Sequence, residues 1–391
     1  MIPYAKILLR IGRHKQRMKL KSINYSENIG RTDANQWVLR ELTLENQNLI
    51  IAKNATGKSR ILGVTLNLAK LIQAPQKATI NGIPQKNTAS GEWCAIFSDK
   101  TGIDIVYSLA IKNGTVTSEH ITVDGNVVLK REGTSAIIHS YITNTELSIS
   151  PPNDCLVLHV RRDEKEFPFL EKLASWANGV RGLSFANTSP NLIEIPGTTF
   201  QLSSLNAVPS VLDQLSSSQV KKVLNQLKGL DYDIENAITG LVEGLPPSAK
   251  IVFIKERGLS VLLKQFEMSQ GMFRAFSLLV IMEFFRTSDK IGCILIDDLG
   301  EGLDSDRSQK LAKVIFDKQD HPSLQLIATS NEAFLMNSVH LNDLTVCYRT
   351  DSSIKCLNYS NSKTKFDKWR QLGLNNFDLL SSNFLLDRSN E

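Results

Sequence analysis

Cysteine and histidine are scarce in this chain, and neither is spaced for metal binding or hydrolase chemistry. Five cysteines lie scattered among 391 residues without a C-x-x-C spacing, which predicts reduced thiols, as in a cytoplasmic protein, and no structural zinc site. None of the six histidines stands four residues from another, and no Gly-x-Ser-x-Gly elbow occurs. The sequence therefore gives no support to a zinc hydrolase or a serine hydrolase.

Long hydrophobic runs and a large excess of one charge are also missing. The longest apolar run, Phe276 to Phe285, contains Glu283 and is too short to cross a bilayer, so we expect no membrane partner. Lys and Arg number 45 against 40 Asp and Glu, and the net charge of +5 permits a nucleic-acid partner without requiring one. The basic residues between Arg10 and Lys21 fit a solvated hairpin better than a phosphate-binding patch.

The segment from Asn48 to Ser59 has the pattern of a buried strand that runs into a phosphate-binding loop and then opens a helix. Lys58 is predicted to reach the β and γ phosphates of a nucleotide, and Ser59 to ligate Mg²⁺. The complete pattern has glycine where Ala52 stands, and related loops often carry a second glycine at the position of Ala55. The predicted nucleotide-binding residues are Asn54, Ala55, Thr56, Gly57, Lys58, Ser59 and Arg60.

A second apolar strand, Cys293 to Asp298, ends in two carboxylates. In a P-loop ATPase this position holds the residue that binds Mg²⁺ through water, here Asp297, and the general base, here Asp298. Aspartate is one methylene shorter than glutamate and reaches less far toward an attacking water, so slow hydrolysis is expected. The alternative is that two acidic residues merely end a strand.

Two more segments flank the acidic strand. Ser269 and Gly271 precede a strongly apolar helix, predicted over Ala275 to Phe285, for which Ser269 could simply be the N-cap. Beyond the acidic strand, Leu324 to Asn331 indicates a last strand with a polar end. Ser330 or Asn331, depending on the alignment, would sense the γ-phosphate there, and neither can act as a cation.

Taken in order, these motifs resemble those of stand-alone ABC-like ATPases related to the SMC and recombination-repair ATPase heads, many of which serve bacterial anti-phage defence. The resemblance covers residues 1–75 and roughly 251–345. The order of P-loop, signature and acidic strand is that of ABC ATPases, although Met268, Gln270 and Met272 depart from the Leu-Ser-Gly-Gly-Gln signature. Asp298 also stands where those proteins carry glutamate, and the last strand lacks their histidine.

The resemblance implies an α/β fold with a P-loop NTPase core, an antiparallel β lobe and an inserted helical region. It implies ATP and Mg²⁺ as cofactors, Ser269 and Gly271 as a signature that contacts the γ-phosphate bound by a second copy of the chain, and Asp304 as the D-loop aspartate. The chain would then form a homodimer or higher assembly through composite ATP sites. A separate effector protein, such as a nuclease or toxin, would carry the defence activity.

The expected organisation is an N-terminal ATPase lobe (1–150), an inserted and mostly helical region (151–250) and a C-terminal ATPase lobe (251–391). Alternating apolar residues with two Asn-Gly or Asp-Gly turns predict an antiparallel meander over Ile103 to Leu129. The inserted region is predicted to contain a strand at Cys155 to Val160 and helices at Phe167 to Trp176 and Val211 to Leu230. After Ile251 we expect strand, helix, strand, helix and strand.

Two functional hypotheses follow, and two weaker ones stand behind them. The first is an ATPase that dimerises, hydrolyses ATP and controls a partner effector. The second is a nucleotide-gated scaffold whose substituted motifs reduce turnover, so that binding alone holds or releases an effector or a nucleic acid. A phosphotransferase lacks a recognisable arginine lid. A metal-dependent nuclease, with Asp154, Asp163 and Lys165 around the predicted strand Cys155 to Val160, is disfavoured. Glu164 stands where such enzymes usually carry a buried apolar residue, and it belongs to a charged run, 161–166, that fits a solvated turn.

Overall fold

The structure of the protein, a computed structural model, describes residues 18–30, 35–73, 90–99, 101–193, 204–244, 249–288, 291–317 and 324–386. Most of the basic cluster near the start of the chain lies outside these residues. The chain divides into two compact units. The parallel unit comprises residues 47–54, 181–344 and 363–391, and the antiparallel unit comprises residues 1–46, 55–180 and 345–362.

The strands are β1 (Lys19–Glu27), β2 (Trp37–Thr43), β3 (Gln47–Ala52), β4 (Ser90–Ser98), β5 (Asp104–Lys112), β6 (Thr115–Val123), β7 (Asn126–Glu132), β8 (Ser135–Ser140), β9 (Thr145–Ile149), β10 (Val180–Ser184), β11 (Ile234–Gly240), β12 (Ile251–Glu256), β13 (Leu263–Lys264), β14 (Cys293–Asp297), β15 (Gln325–Ser330), β16 (Leu344–Thr350) and β17 (Ser353–Asn358). The α-helices are α1 (Lys58–Gln73), α2 (Val157–Val160), α3 (Pro168–Asn178), α4 (Val208–Leu212), α5 (Ser217–Gly229), α6 (Gln270–Thr287), α7 (Ser305–Ile315), α8 (Ala333–Ser338), α9 (Lys363–Leu372) and α10 (Asn376–Ser381).

The parallel unit contains a sheet in the order β10-β14-β15-β3. Strands β14, β15 and β3 run parallel to one another, with Ile296 opposite Ala328 and Ser330 opposite Ile51. β3 and β15 are buried along their whole length, as is typical of central parallel strands with both faces covered. A second, antiparallel sheet in the order β11-β12-β13 precedes α6 in the chain. The predicted succession of strand, helix, strand, helix and strand after Ile251 is confirmed.

The antiparallel unit contains strands in the order β16-β17-β2-β1-β4-β5-β6-β7-β8-β9. Neighbours in this order are antiparallel except β17 and β2, which are parallel. The turns at Asn113-Gly114 and Asp124-Gly125 place both residues at positive φ, which favours tight two-residue hairpins. The predicted meander is therefore confirmed, and so is the α/β fold class with an antiparallel β lobe.

A buried ion pair holds the end of the meander. Glu119 and Arg131 are both fully buried, with 3.6 Å between the Arg131 Nη1 and the Glu119 Oε2. Glu119 accepts hydrogen bonds from the Tyr107 hydroxyl (3.1 Å) and from the Val157 N–H (2.8 Å). Arg131 donates to the carbonyl oxygens of Gly133 (2.8 Å), Pro152 (2.7 Å) and Cys155 (2.5 Å). These bonds fix the path of the chain from Pro152 to Val157.

The strand predicted at Cys155 to Val160 is wrong, because the structure places helix α2 there. The buried Glu119 carboxylate accepts a hydrogen bond from the first N–H of this helix, and a sequence pattern cannot reveal such a distant partner. Asp163 accepts from the backbone N–H groups of Lys165 (2.8 Å) and Glu166 (2.7 Å), which cap a turn and lower the pKa of Asp163. The strand on which the nuclease alternative depended is therefore missing.

The helices of the middle segment agree with the sequence in part. α3 confirms the helix predicted at Phe167 to Trp176. The helix predicted over Val211 to Leu230 is two helices, α4 and α5, because Ser216 and Gln219 form a capping box that starts α5 afresh. Among the described helices, none has the length and apolarity that crossing a membrane requires.

Candidate nucleotide site

The predicted phosphate-binding loop lies between the end of β3 at Ala52 and the start of α1 at Lys58. Ala52 keeps the extended conformation of a strand, so this position does not require glycine. The left-handed conformations fall instead on Ala55, with φ of +62°, and on Gly57, with φ of +104°. An alanine in this conformation costs about 1 kcal/mol that a glycine avoids. The structure thus explains why alanine is accepted at position 52 and shows backbone strain at Ala55.

Lys58 and Ser59 open a helix of 16 residues, whose first N–H groups and dipole favour an anion. The Lys58 side chain is 7% exposed, whereas Ser59 lies on the surface. Thr56 is buried, and Asn54 and Ala55 are exposed. The loop therefore has the residue types and the helix N-terminus that favour a bound phosphate.

Arg60 is held beside the loop by one acidic and one aromatic neighbour. Its guanidinium lies 2.6 Å from the buried Glu27 carboxylate and 4.5 Å from the centre of the Trp37 ring. The Trp37 ring also lies 3.8 Å from the place that a Cβ on Gly57 would occupy. Arg60 therefore belongs to the wall that supports the loop.

Arg349 is a loop contact that the sequence did not reveal. It follows the buried part of β16, and its Nη1 donates to the Ala55 carbonyl at 3.2 Å. This bond anchors the residue of the loop that carries the strained φ. Nothing in the local pattern around Arg349 distinguishes it from an ordinary surface arginine.

The acidic pair lies where β14 ends. Because β14, β15 and β3 are parallel neighbours, their carboxyl ends share one edge of the sheet, and that edge is where open α/β sheets bind ligands. The edge carries Asp297 and Asp298 after β14, Asn331 after β15, and the first loop residue Lys53 after β3. The topology of the parallel unit thus brings Asp297, Asp298 and Asn331 to one edge of the sheet.

Thr329 holds the acidic pair and was missed in the sequence. Its hydroxyl donates to Asp297 Oδ1 at 2.6 Å and accepts from the Asp298 N–H at 2.9 Å. Asp298 has a φ of +54°, an uncommon conformation that the bond to Thr329 helps to fix. Thr329 is fully buried and directly follows the apolar run Leu326–Ala328 of β15, and this polar residue one position before Ser330 was the available signal.

Ser330 and Asn331 differ in what their side chains do. Ser330 is fully buried, and its hydroxyl donates to the Leu299 carbonyl at 2.8 Å and accepts from the Glu332 N–H at 3.0 Å. Asn331 is exposed after the strand end. The Ser330 side chain therefore connects two loops of the parallel unit, and the Asn331 amide lies on its surface.

Ser269 and Gly271 lie at the start of α6. The Ser269 hydroxyl accepts from the Met272 N–H at 3.2 Å, and the helix begins at Gln270, earlier than the predicted Ala275. A Cβ on Gly271 would lie 3.1 Å from Leu303 and 3.3 Å from the Gly302 carbonyl oxygen. This position therefore favours glycine because the segment before α7 packs against it.

Asp304 is the N-cap of α7. Its carboxylate accepts from the Arg307 N–H at 2.9 Å and pairs with the Arg307 guanidinium at 2.7 Å. The backbone N–H of Arg307, followed by its side chain, lowers the pKa of Asp304. Arg307 is itself stacked on Tyr232 at 4.4 Å. Asp304 is thus an ionised, surface-exposed cap.

No protein-family model matches the chain, and no curated protein matches it at a significant level. Solved structures that match include an SMC head bound to the C-winged helix domain of ScpA, with 12% identity, 86% of this chain and 96% of that chain covered, and a TM-score of 0.49. The SMC head domain from Thermotoga maritima matches with 11% identity, 88% and 99% coverage, and a TM-score of 0.44. An Smc head with an extended coiled coil, bound to the C-terminal domain of ScpA and derived from Pyrococcus furiosus, matches with 11% identity, 90% and 100% coverage, and a TM-score of 0.45. These structural neighbours are SMC head domains, the group of ATPase heads that the sequence motifs resemble.

Proposed function

We propose that the protein is an ATP-binding and ATP-hydrolysing ABC-type ATPase. The observation that carries this proposal is the shared edge of three parallel strands, which bears the start of the phosphate-binding loop, the acidic pair and Asn331. The loop then continues directly into the N-terminus of α1 at Lys58. Strand, loop and helix in this order provide what a nucleoside triphosphate requires.

The main predicted residues have the following roles in this proposal. The loop N–H groups and Lys58 bind the β and γ phosphates, which carry most of the negative charge of ATP. Ser59 and Asp297 offer the hydroxyl and carboxylate oxygens that Mg²⁺ prefers, and the metal would neutralise charge on the phosphates. Thr329 orients Asp297. Asp298 accepts the proton of the attacking water, and Asn331 bonds the γ-phosphate or that water.

The signature supplies the argument for a composite site. Ser269 is exposed at the N-terminus of an 18-residue helix, where N–H groups favour a phosphate. In ABC-type heads this phosphate belongs to the opposing subunit. We therefore propose a head-to-tail homodimer or higher assembly, in which each chain presents Ser269 and Gly271, flanked by Asp304, to the ATP held by its partner.

Resemblance alone supports the biological setting. Many stand-alone ATPases with these motifs act in anti-phage defence, so we propose a cytoplasmic protein that controls a separate effector, such as a nuclease or a toxin. Co-purification of the effector encoded beside this chain, and its release upon ATP hydrolysis, are the expected observations. An assembly that protects cells from phage without any second protein would contradict this part of the proposal.

The test of nucleotide binding is Lys58→Ala. Without the ammonium group the loop N–H groups cannot offset the phosphate charge, so affinity for a fluorescent ATP analogue should fall at least tenfold in equilibrium titration. Lys70→Ala is the matched control, because Lys70 is an exposed lysine in the last turn of the same helix. Equal binding by wild type and Lys58→Ala would refute the phosphate-loop assignment.

The test of the composite site is a mixture of two inactive variants. Lys58→Ala disables the phosphate loop, and Ser269→Arg disables the signature. A mixed dimer then contains one intact site, formed by the loop of the Ser269→Arg chain and the signature of the Lys58→Ala chain. Turnover should reappear on mixing, and a mixture that stays inactive would leave Ser269 as a helix cap only.

The second candidate is a nucleotide-gated scaffold. It is favoured by the short Asp298, the strained Ala55 and the absence of a histidine after β15. The two candidates separate when phosphate release under MgATP is measured beside a calorimetric titration of the same sample. Tight binding without release of phosphate would select the scaffold.

A further inference from the structure

Arg274 is a buried cation in the second turn of α6. Its side chain is 6% exposed, and its guanidinium donates to three backbone carbonyl oxygens: Thr188 (3.1 Å), Glu301 (2.7 Å) and Ala186. Burying a guanidinium is costly unless its donors are satisfied, and here backbone carbonyls satisfy them. The cost indicates that the position does more than fill space.

The carbonyls that Arg274 binds belong to segments connected to the acidic pair. Glu301 lies between Asp298 and the α7 cap. Ala186 and Thr188 follow β10, where the Phe185 N–H donates to the Asp297 carbonyl at 2.9 Å. The signature helix is therefore joined to the acidic strand of its own chain through one side chain and two short segments.

Gly302 lies close to the same Arg274 nitrogen that donates to Glu301. A Cβ on Gly302 would lie 2.6 Å from the Arg274 Nη1, and Gly302 has a φ of +79°. The carbonyl oxygen of Gly302 in turn would lie 3.3 Å from a Cβ built on Gly271 at the start of α6. The segment from Glu301 to Leu303 thus meets the signature helix at two places, and Arg274 fills one of them.

We infer that Arg274 is a positioning residue that couples the signature of each chain to the acidic pair of the same chain. This inference rests on the proposed composite site. When Ser269 contacts the partner's γ-phosphate, any shift of α6 moves the guanidinium, which holds three carbonyls in a fixed planar geometry. The segments at Ala186 and Glu301 follow, and the backbone around Asp297 adjusts to the state of the other nucleotide. A lysine at this position would keep the positive charge but lose the planar set of N–H donors that binds the three carbonyls.

The mixed dimer of Lys58→Ala and Ser269→Arg chains separates the two ends of this coupling, because its one active site takes the signature from one chain and the acidic pair from the other. Arg274→Lys is placed in one chain at a time. In the Lys58→Ala chain it lies beside the working signature, and in the Ser269→Arg chain it lies beside the working acidic pair. We expect turnover to fall at least fivefold in either placement, while ATP affinity at the working loop changes less than twofold.

A second variant and a matched control distinguish a loss of coupling from a loss of folding. Gly302→Ala should displace the guanidinium and reproduce both losses in turnover. Arg286→Lys, at the far end of the same helix, where Arg286 pairs with Glu283, should leave turnover within twofold of the parent mixture. Melting temperature and ATP binding are recorded for every variant.

Each outcome has one meaning. Loss of turnover only when Arg274→Lys is in the signature-donating chain would overturn the coupling, because Arg274 would then shape the signature alone. Losses that follow a matching drop in melting temperature and ATP binding would overturn it in favour of a purely structural role. If the mixture without Arg274→Lys is inactive, the composite site fails and the coupling fails with it.

Discussion

Thr329→Val tests whether the hydroxyl between the two aspartates matters for the metal. Valine has a similar shape, so it removes the two hydrogen bonds to Asp297 and Asp298 without opening a cavity in β15. Thr329→Ser is the matched control, because it keeps the hydroxyl and loses only a methyl group.

The magnitude follows from the partners of the hydroxyl. A hydrogen bond to a charged group contributes about 1.5–3 kcal/mol, and the lower end applies here because water can reach the half-buried Asp297. About 2 kcal/mol corresponds to more than a tenfold change in an equilibrium constant. We therefore expect the Mg²⁺ concentration at half-maximal turnover to rise roughly 10- to 30-fold in Thr329→Val.

The assay is phosphate release at saturating ATP over a Mg²⁺ titration, with EDTA as the zero point at which turnover should vanish. Thr329→Ser should stay within about threefold of wild type, since its hydroxyl can make the same bonds. A Thr329→Val protein with an unchanged Mg²⁺ midpoint would refute the reasoning, even if its stability fell, because the hydroxyl would then serve only the fold.

Three further predictions concern single positions. Asp298→Asn should keep ATP binding and abolish phosphate release, whereas Asp298→Glu should raise the rate of phosphate release if the length of the side chain limits it. Unchanged rates in both variants would remove Asp298 from the mechanism. Ala55→Gly should stabilise the protein by up to about 1 kcal/mol in denaturant unfolding, whereas Ala52→Gly should destabilise it by a similar amount, because only Ala55 has a positive φ. Changes of the same sign in the free energy of unfolding for both variants would contradict this. Burial outweighs the nearby donors and raises the pKa of Glu119 from 4.5 to about 7, so the folded state holds a proton that the unfolded state releases, and stability should fall as the pH rises through this window. Glu119→Gln should flatten that fall, the exposed Glu132→Gln should not, and identical pH profiles for both would refute the assignment.

The motifs could be predicted from the sequence because each is local. A continuous apolar run before Gly57, and another before Asp297, specify strands by their composition, and a serine before an apolar helix specifies a cap. The same reasoning failed at Cys155 to Val160, which is also apolar, because the Glu119 carboxylate stabilises the first turn of a helix there. Short apolar runs do not distinguish strand from helix without such distant contacts.

The supporting residues could not be predicted for a related reason. Thr329, Arg349 and Arg274 act through partners that are distant in sequence, and each looks ordinary among its neighbours. The choice between Ser330 and Asn331 likewise depended on which side chain already had partners within the fold. Whether the predicted site residues bind nucleotide remains a prediction for the experiments above.

The close fit of Gly302 against Arg274 restricts how this chain can diverge. A side chain at 302 must tolerate a positive φ and also leave room for the guanidinium, so two separate demands select glycine. Asparagine meets the first demand and not the second. Natural variants that replace Gly302 should therefore also carry a smaller residue at 274, and the two positions should change together among relatives.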